Sequence, residues 1–153
     1  MAGPPGTQWI GRAGIVTLAH AAIDVDWETP LLTVSALLGD NDDEIRAQAA
    51  KVLGEGRVFI AHDGLVKLLE SEQPARVRFF AAMALGKIGR TEAARPLLDM
   101  LVENDDKDAF LRHAGVMGLA WSGDDSSLLS AEKHKSKAAR LGIVLALRHR
   151  RSL

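Results

Sequence analysis

Cysteine is absent from all 153 residues, and so is tyrosine. Without cysteine the chain has no disulfide framework, no thiolate metal site, no covalent haem attachment and no thiol nucleophile. Aromatic residues make up only 5%, so stacking platforms for bases or sugars are scarce. Neither sign of charge dominates: 19 Lys and Arg stand against 20 Asp and Glu, a formal net charge of −1 with histidine neutral. That excludes a globally basic nucleic-acid binder, although not a local basic patch. No apolar run approaches the roughly 20 residues of a membrane span. Met1 to Trp9 shows no basic stretch leading into an apolar one, so no signal peptide is read there. What remains is ordinary globular composition, 47% hydrophobic and 25% charged.

Internal repetition dominates what is present. Residues 45–54 read IRAQAAKVLG, 77–86 VRFFAAMALG, 111–120 LRHAGVMGLA and 139–148 ARLGIVLALR. Each places an apolar residue before an Arg, small or apolar residues three and four after it, and a Leu seven after it. The Arg positions are Arg46, Arg78, Arg112 and Arg140, and the Leu positions Leu53, Leu85, Leu119 and Leu147. Spacings of 32, 34 and 28 residues suit a helical-hairpin repeat. Residues 10–19 (IGRAGIVTLA) form a fifth copy, with Gly11 at the Arg position and Leu18 at the Leu position.

A shorter apolar segment precedes each complete copy: Pro30 to Leu38, Gly64 to Leu69, Ala93 to Val102 and, weakly, Ser126 to Ala131. Apolar residues recur there at three- and four-residue steps, the helical period, and no stretch alternates with the period of a strand. Acidic and polar clusters between the segments offer turns and N-caps. Gly54, Gly56, Gly86 and Gly89 fall where the second helices are expected to stop. The expected architecture is all-α: an α-solenoid, wound as a right-handed superhelix, of about four to five helical hairpins stacked into one core. The repeated Arg is expected to form a structural ladder, pairing with turn acids such as Asp40 and Glu72.

These runs resemble HEAT repeats of the short kind found in phycobilisome lyases, over roughly residues 8–150. The runs IRAQAAKVLGEGR, ARVRFFAAMALGKIG and DAFLRHAGVMGLA also look like the HEAT segment of large bacterial envelope proteins, which join a sugar-dehydrogenase-like propeller and a c-type cytochrome domain to the repeats. That resemblance implies that residues 8–150 are a single repeat domain excised from a longer chain, with residues 1–7 a disordered or non-native leader. The compartment stays open: the cell envelope or periplasm if the parent is of that kind, the cytoplasm otherwise.

No catalytic, cofactor-binding or metal-ligating residue is assigned. The five histidines, His20, His62, His113, His134 and His149, include no His-Glu pair of the kind used by HEAT-type metal hydroxylases. The run Asp40 to Glu44 lacks the ligand spacing and central Gly of a calcium loop. Gly54-Glu55-Gly56-Arg57 is too short for a phosphate loop. Basic residues crowd the end of the chain, at Lys133, Lys135, Lys137, Arg140, Arg148, Arg150 and Arg151. They are read as a solvated cluster or a domain junction, with nucleic acid not expected.

The second segments also carry a column one, five and nine residues after each Arg, which lies on one helical face. It reads Ala47, Lys51, Glu55; then Phe79, Met83, Lys87; then His113, Met117, Trp121; then Leu141, Leu145, His149. Met83, Met117 and Leu145 are expected to be buried between adjacent helices. Phe79, His113 and Trp121, with Arg148 beside them, are the candidate partner-binding residues. The function read from this is a non-catalytic scaffold for a protein partner or for neighbouring domains of the same polypeptide, with no cofactor and no membrane insertion. The alternatives are a structural segment of an envelope redox enzyme and a lyase-like cofactor handler.

Overall fold

A computed structural model describes residues 28–70, 72–123, 125–130 and 133–151. Every regular element among them is helical: α1 (Glu28–Ala36), α2 (Asp43–Glu55), α3 (His62–Lys67), α4 (Ala75–Ile88), α5 (Ala94–Asn104), α6 (Ala109–Ser122), α7 (Asp125–Ser130) and α8 (Lys137–Arg151). Short 3₁₀ turns close α1 and lead into α3 and α5. The helices pair as four hairpins. The fifth copy, residues 10–19, lies outside the described residues.

Local chemistry sets the helix ends. The Asp42 carboxylate accepts from the main-chain N–H of Glu44 at 2.8 Å and of Ile45 at 3.3 Å, and so caps α2. Asp108 does the same for α6, accepting from Phe110 N at 2.7 Å and Leu111 N at 3.2 Å. Helix α4 starts instead behind Pro74, whose fixed φ suits the entry. It stops at Gly89, which takes the left-handed conformation at φ 78°.

The second helices pack directly on one another, α2 on α4, α4 on α6 and α6 on α8, whereas no two of the described first helices pack comparably. The more closely packed layer lies on the inside of the curve, so the array is an α-solenoid with its second helices inward. Gly54 and Gly86 make that approach possible. A Cβ on Gly54 would stand 2.5 Å from Ala84 Cα, and one on Gly86 would stand 2.8 Å from Gly118 Cα. Both glycines lie within helices rather than at the expected ends, because they are the points of backbone contact.

The contacts keep one register. The residue eight after one repeat's Arg meets the residue six after the next repeat's Arg: Gly54 on Ala84, then Gly86 on Gly118. The repeated Leu53, Leu85 and Leu119 are fully buried, and Leu147 packs partly buried against the same core. Each fully buried Leu contributes roughly 2 kcal/mol through the apolar area it removes from water.

Candidate functional site: the inner face of the second helices

The repeated arginines serve the turns. Arg46 donates through Nη1 to Asp40 O at 2.6 Å, through Nε to Gln73 Oε1 at 3.1 Å, and also pairs with Asp43. Buried Arg78 donates to Leu69 O at 2.9 Å and to Glu103 Oε2 at 2.6 Å. Arg112 pairs with Asp106 at 2.6 Å, and Arg140 donates to the carbonyls of His134 and Lys135 at 2.7 and 2.9 Å. Each guanidinium thus ties down the chain just before its own helix. Arg46 and Arg78 also reach the next hairpin, which makes links between repeats. The partners differ from the two named acids: Asp40 accepts through its main-chain carbonyl, and Arg46 meets Gln73 beside Glu72. Main-chain carbonyls freed at turns are available acceptors that a sequence does not display.

On the opposite side from the first helices, the column forms the inner face. Ala47 is fully buried and Lys51 and Glu55 are exposed at its start, so this face is polar in the first hairpin. From Phe79 onward it turns apolar, with Phe79, Met83, Met117, Trp121, Leu141 and Leu145 all half-buried. Met83, Met117 and Leu145, expected to be buried between adjacent helices, are half-buried instead, with Met83 packed against the edge of the core. Phe79 meets Phe80 edge to face, with ring centroids 5.3 Å apart, and the Arg76 guanidinium stands 5.1 Å from the Phe80 ring centroid. Trp121 lies against Gly86 across the α4–α6 seam.

The four candidate residues do not converge on one pocket. His113 and Arg148 come together in a groove of about 450 Å³ between α6 and α8, lined also by Ala109, Arg112, Val116, Met117, Leu145 and His149. Trp121 lines a separate groove of about 510 Å³ with Arg57, Lys87 and Ala120. Phe79 lines neither and packs against the core near the start of α4. A third hollow, of about 550 Å³, is apolar and lies at the first hairpin, where Leu32, Phe59 and Ile60 are exposed. Its signal in the sequence is the run Val58-Phe59-Ile60 directly after a Gly-rich turn.

Most of the remaining charged groups have assigned structural partners. Asp40 accepts from Asp42 N at 2.8 Å, Asp42 caps α2, Asp43 holds Arg46, and Glu44 holds Arg76 through two bonds of 2.6 and 3.0 Å. Arg150, part of the basic tail, turns inward. It pairs with Asp125 at 2.8 Å and donates to the Ala120 and Gly123 carbonyls at the end of α6. His134 Nδ1 accepts from Ser136 N at 3.1 Å. His62 is buried, with Nδ1 2.9 Å from Asp63 Oδ1 and Nε2 without a partner. That contact, before the charges of His62 and Arg90, holds the Asp63 carboxyl below its ordinary range. Glu92 is drawn down to about 2, first by its hydrogen bond from Arg90 and then by one from its own main chain. His20, Asp24 and Asp26 lie outside the described residues. Among those described, no three His, Asp or Glu side chains come together as metal ligands would, and no helix is long and apolar enough to cross a membrane.

Among curated proteins no relative matches the chain. A family model described as HEAT repeats matches residues 30–120, from the start of α1 through most of α6. That interval holds three of the four described hairpins, with their stacked second helices and the repeated Arg46, Arg78 and Arg112. Matched over more than half its length and folded as an α-solenoid, the chain belongs to the HEAT repeat family.

Proposed function

We propose that this chain is a non-catalytic scaffold that holds a protein partner, or a neighbouring domain, on the inner face of its second helices. HEAT repeats are generally protein-interaction elements, and the observation that supports an interaction on this face is the inner strip. Phe79, Met83, Met117, Trp121 and Leu145 run across three successive second helices and stay half-exposed. Half-exposed apolar side chains on one face of successive helices form a surface that binding would cover. The envelope redox proteins that the repeats resemble offer one setting, in which the occupant is a domain of the same polypeptide.

Site-specific photo-crosslinking in the source cells tests this. A photoreactive residue at Met83, on the strip, is expected to form a discrete adduct with another polypeptide or with a neighbouring domain. The same group at exposed Arg95, on the outer helix α5, is expected to form none. Adducts of equal yield at both positions, or none at Met83, would remove the reading.

A further inference from the structure

Helix α2 leaves open a face that every later second helix buries. The crossings of Gly54 on Ala84 and of Gly86 on Gly118 show that the residue six after each Arg points toward the preceding hairpin. The residue just before the Arg stands seven positions earlier, two helical turns back on the same face. In α4, α6 and α8 both positions are buried: Val77 and Ala84, Leu111 and Gly118, Ala139 and Ala146. In α2 they are Ile45, which is 41% exposed, and Val52, which is half-buried. Both are apolar, like their buried counterparts, so α2 carries the packing face of a helix that has a neighbour on this side.

We propose that this face takes residues 10–19 of the same chain, packed on α2 as one more second helix. Those residues lie outside the described ones, and three features of the sequence select them. The position eight after the Arg is small in each second helix that another follows, being Gly54, Gly86 and Ala120, and in the 10–19 copy it is Ala19. The register of the described crossings then sets Ala19 on Val52, with Ile15 one turn earlier beside Gln48. Gly11 stands where the other copies have the Arg that ties down the chain before its own helix. The copy thus keeps the positions that pack and drops the one that serves a turn. Its tether also fits: residues 21–27 would join it to Glu28, a link close in length to residues 56–61 between α2 and α3. So short a tether holds the segment at an effective concentration on the order of millimolar. A second copy of the chain stacked head to tail fits less well, because the same position of α8 is Arg148, which would set a guanidinium on Val52.

Disulfide trapping in the full chain tests it, since the chain has no cysteine of its own. Ala19→Cys with Val52→Cys is expected to close within one chain on mild oxidation, read by peptide mapping of the monomer. Ala19→Cys with Ile45→Cys puts the second thiol roughly 10 Å away along α2. That is beyond the reach of a disulfide, so this pair should close at least about tenfold more slowly. Ile15→Asp, which sets a charge against α2, should slow the first pair toward the second. Val52→Cys with Arg148→Cys should give no bond between chains. Hydrogen exchange on the unmodified chain is an independent readout that needs no variant to fold. The amides of residues 14–19 are expected to exchange at least about tenfold more slowly than those of an unstructured peptide. Equal closure of the 19–52 and 19–45 pairs, no closure of the first, a bond between chains through positions 52 and 148, or unprotected amides at 14–19 would overturn the assignment.

Discussion

The His62 imidazole is buried at 6% exposure with Nε2 unpaired. A buried polar nitrogen without a partner costs about 1–3 kcal/mol of desolvation, set here against a single contact to the exposed Asp63. His62→Leu is therefore expected to melt at or above the wild-type temperature, and a lower Tm would show that the Asp63 contact outweighs the orphaned nitrogen. Glu92 supplies the pH dependence. Its folded-state value of about 2 lies below the ordinary 4.5. The stabilisation is therefore present above about 4.5 and is lost as pH falls toward 2. Glu92→Gln should flatten the Tm profile across that window at low salt and change little at neutral pH. Because the carboxylate is exposed, the effect should shrink as salt is added. A profile parallel to the wild type would disprove the pairing with Arg90.

Between helices the decisive feature is small residues in register. Gly86→Ala places a methyl group 2.8 Å from Gly118 Cα and 3.1 Å from the Trp121 ring, and both belong to packed structure. The expected loss is about 1–3 kcal/mol by chemical denaturation, although alanine is the better helix former. A gain would mean that the α4–α6 seam is looser than described. The helical pairs and their order are legible in the sequence, because apolar period and repeat spacing are properties of one strand of text. Gly54 and Gly86 are misread as helix stops for a physical reason: glycine serves both a C-cap and a close crossing, and distance between helices is not written in either helix alone. The candidate face is legible in the same partial way. Counting by fours finds the face that carries Phe79, His113 and Trp121. It does not show that His113 shares a groove with Arg148 while Trp121 lies in the next one. Nor does it show that Arg150 leaves the basic tail to cap α6, since that depends on where α8 ends against its neighbour.

Across the whole array, stability is a sum of hairpins and the seams between them, and the seams are not alike. The first and second hairpins share the Gly54–Ala84 crossing and add polar links: Arg76 to Glu44 at 2.6 Å, Arg46 to Gln73 at 3.1 Å, and a long Lys87–Glu55 pair at 4.0 Å. The exposed Arg76–Glu44 pair and the long Lys87–Glu55 pair contribute under about 1 kcal/mol each. The second and third hairpins share the Gly86–Gly118 crossing and the Arg78–Glu103 link at 2.6 Å, whose guanidinium is buried. The third and fourth share a Gly142–Leu101 approach and the three bonds of Arg150. Among the described residues α2 stacks on one second helix, α4, whereas α6 stacks on both α4 and α8. Leu85 sits in the centre at 0% exposure, and Leu85→Ala should cost about 2–5 kcal/mol. A nearest-neighbour array distributes that loss unevenly. The α2 amides lose the one second helix they are described against, whereas α6 and α8 keep their shared seam. Hydrogen exchange on Leu85→Ala is expected to show α2 and α4 opening together while α6 and α8 stay protected. Equal loss of protection in all four would show instead that the described residues unfold as one cooperative unit.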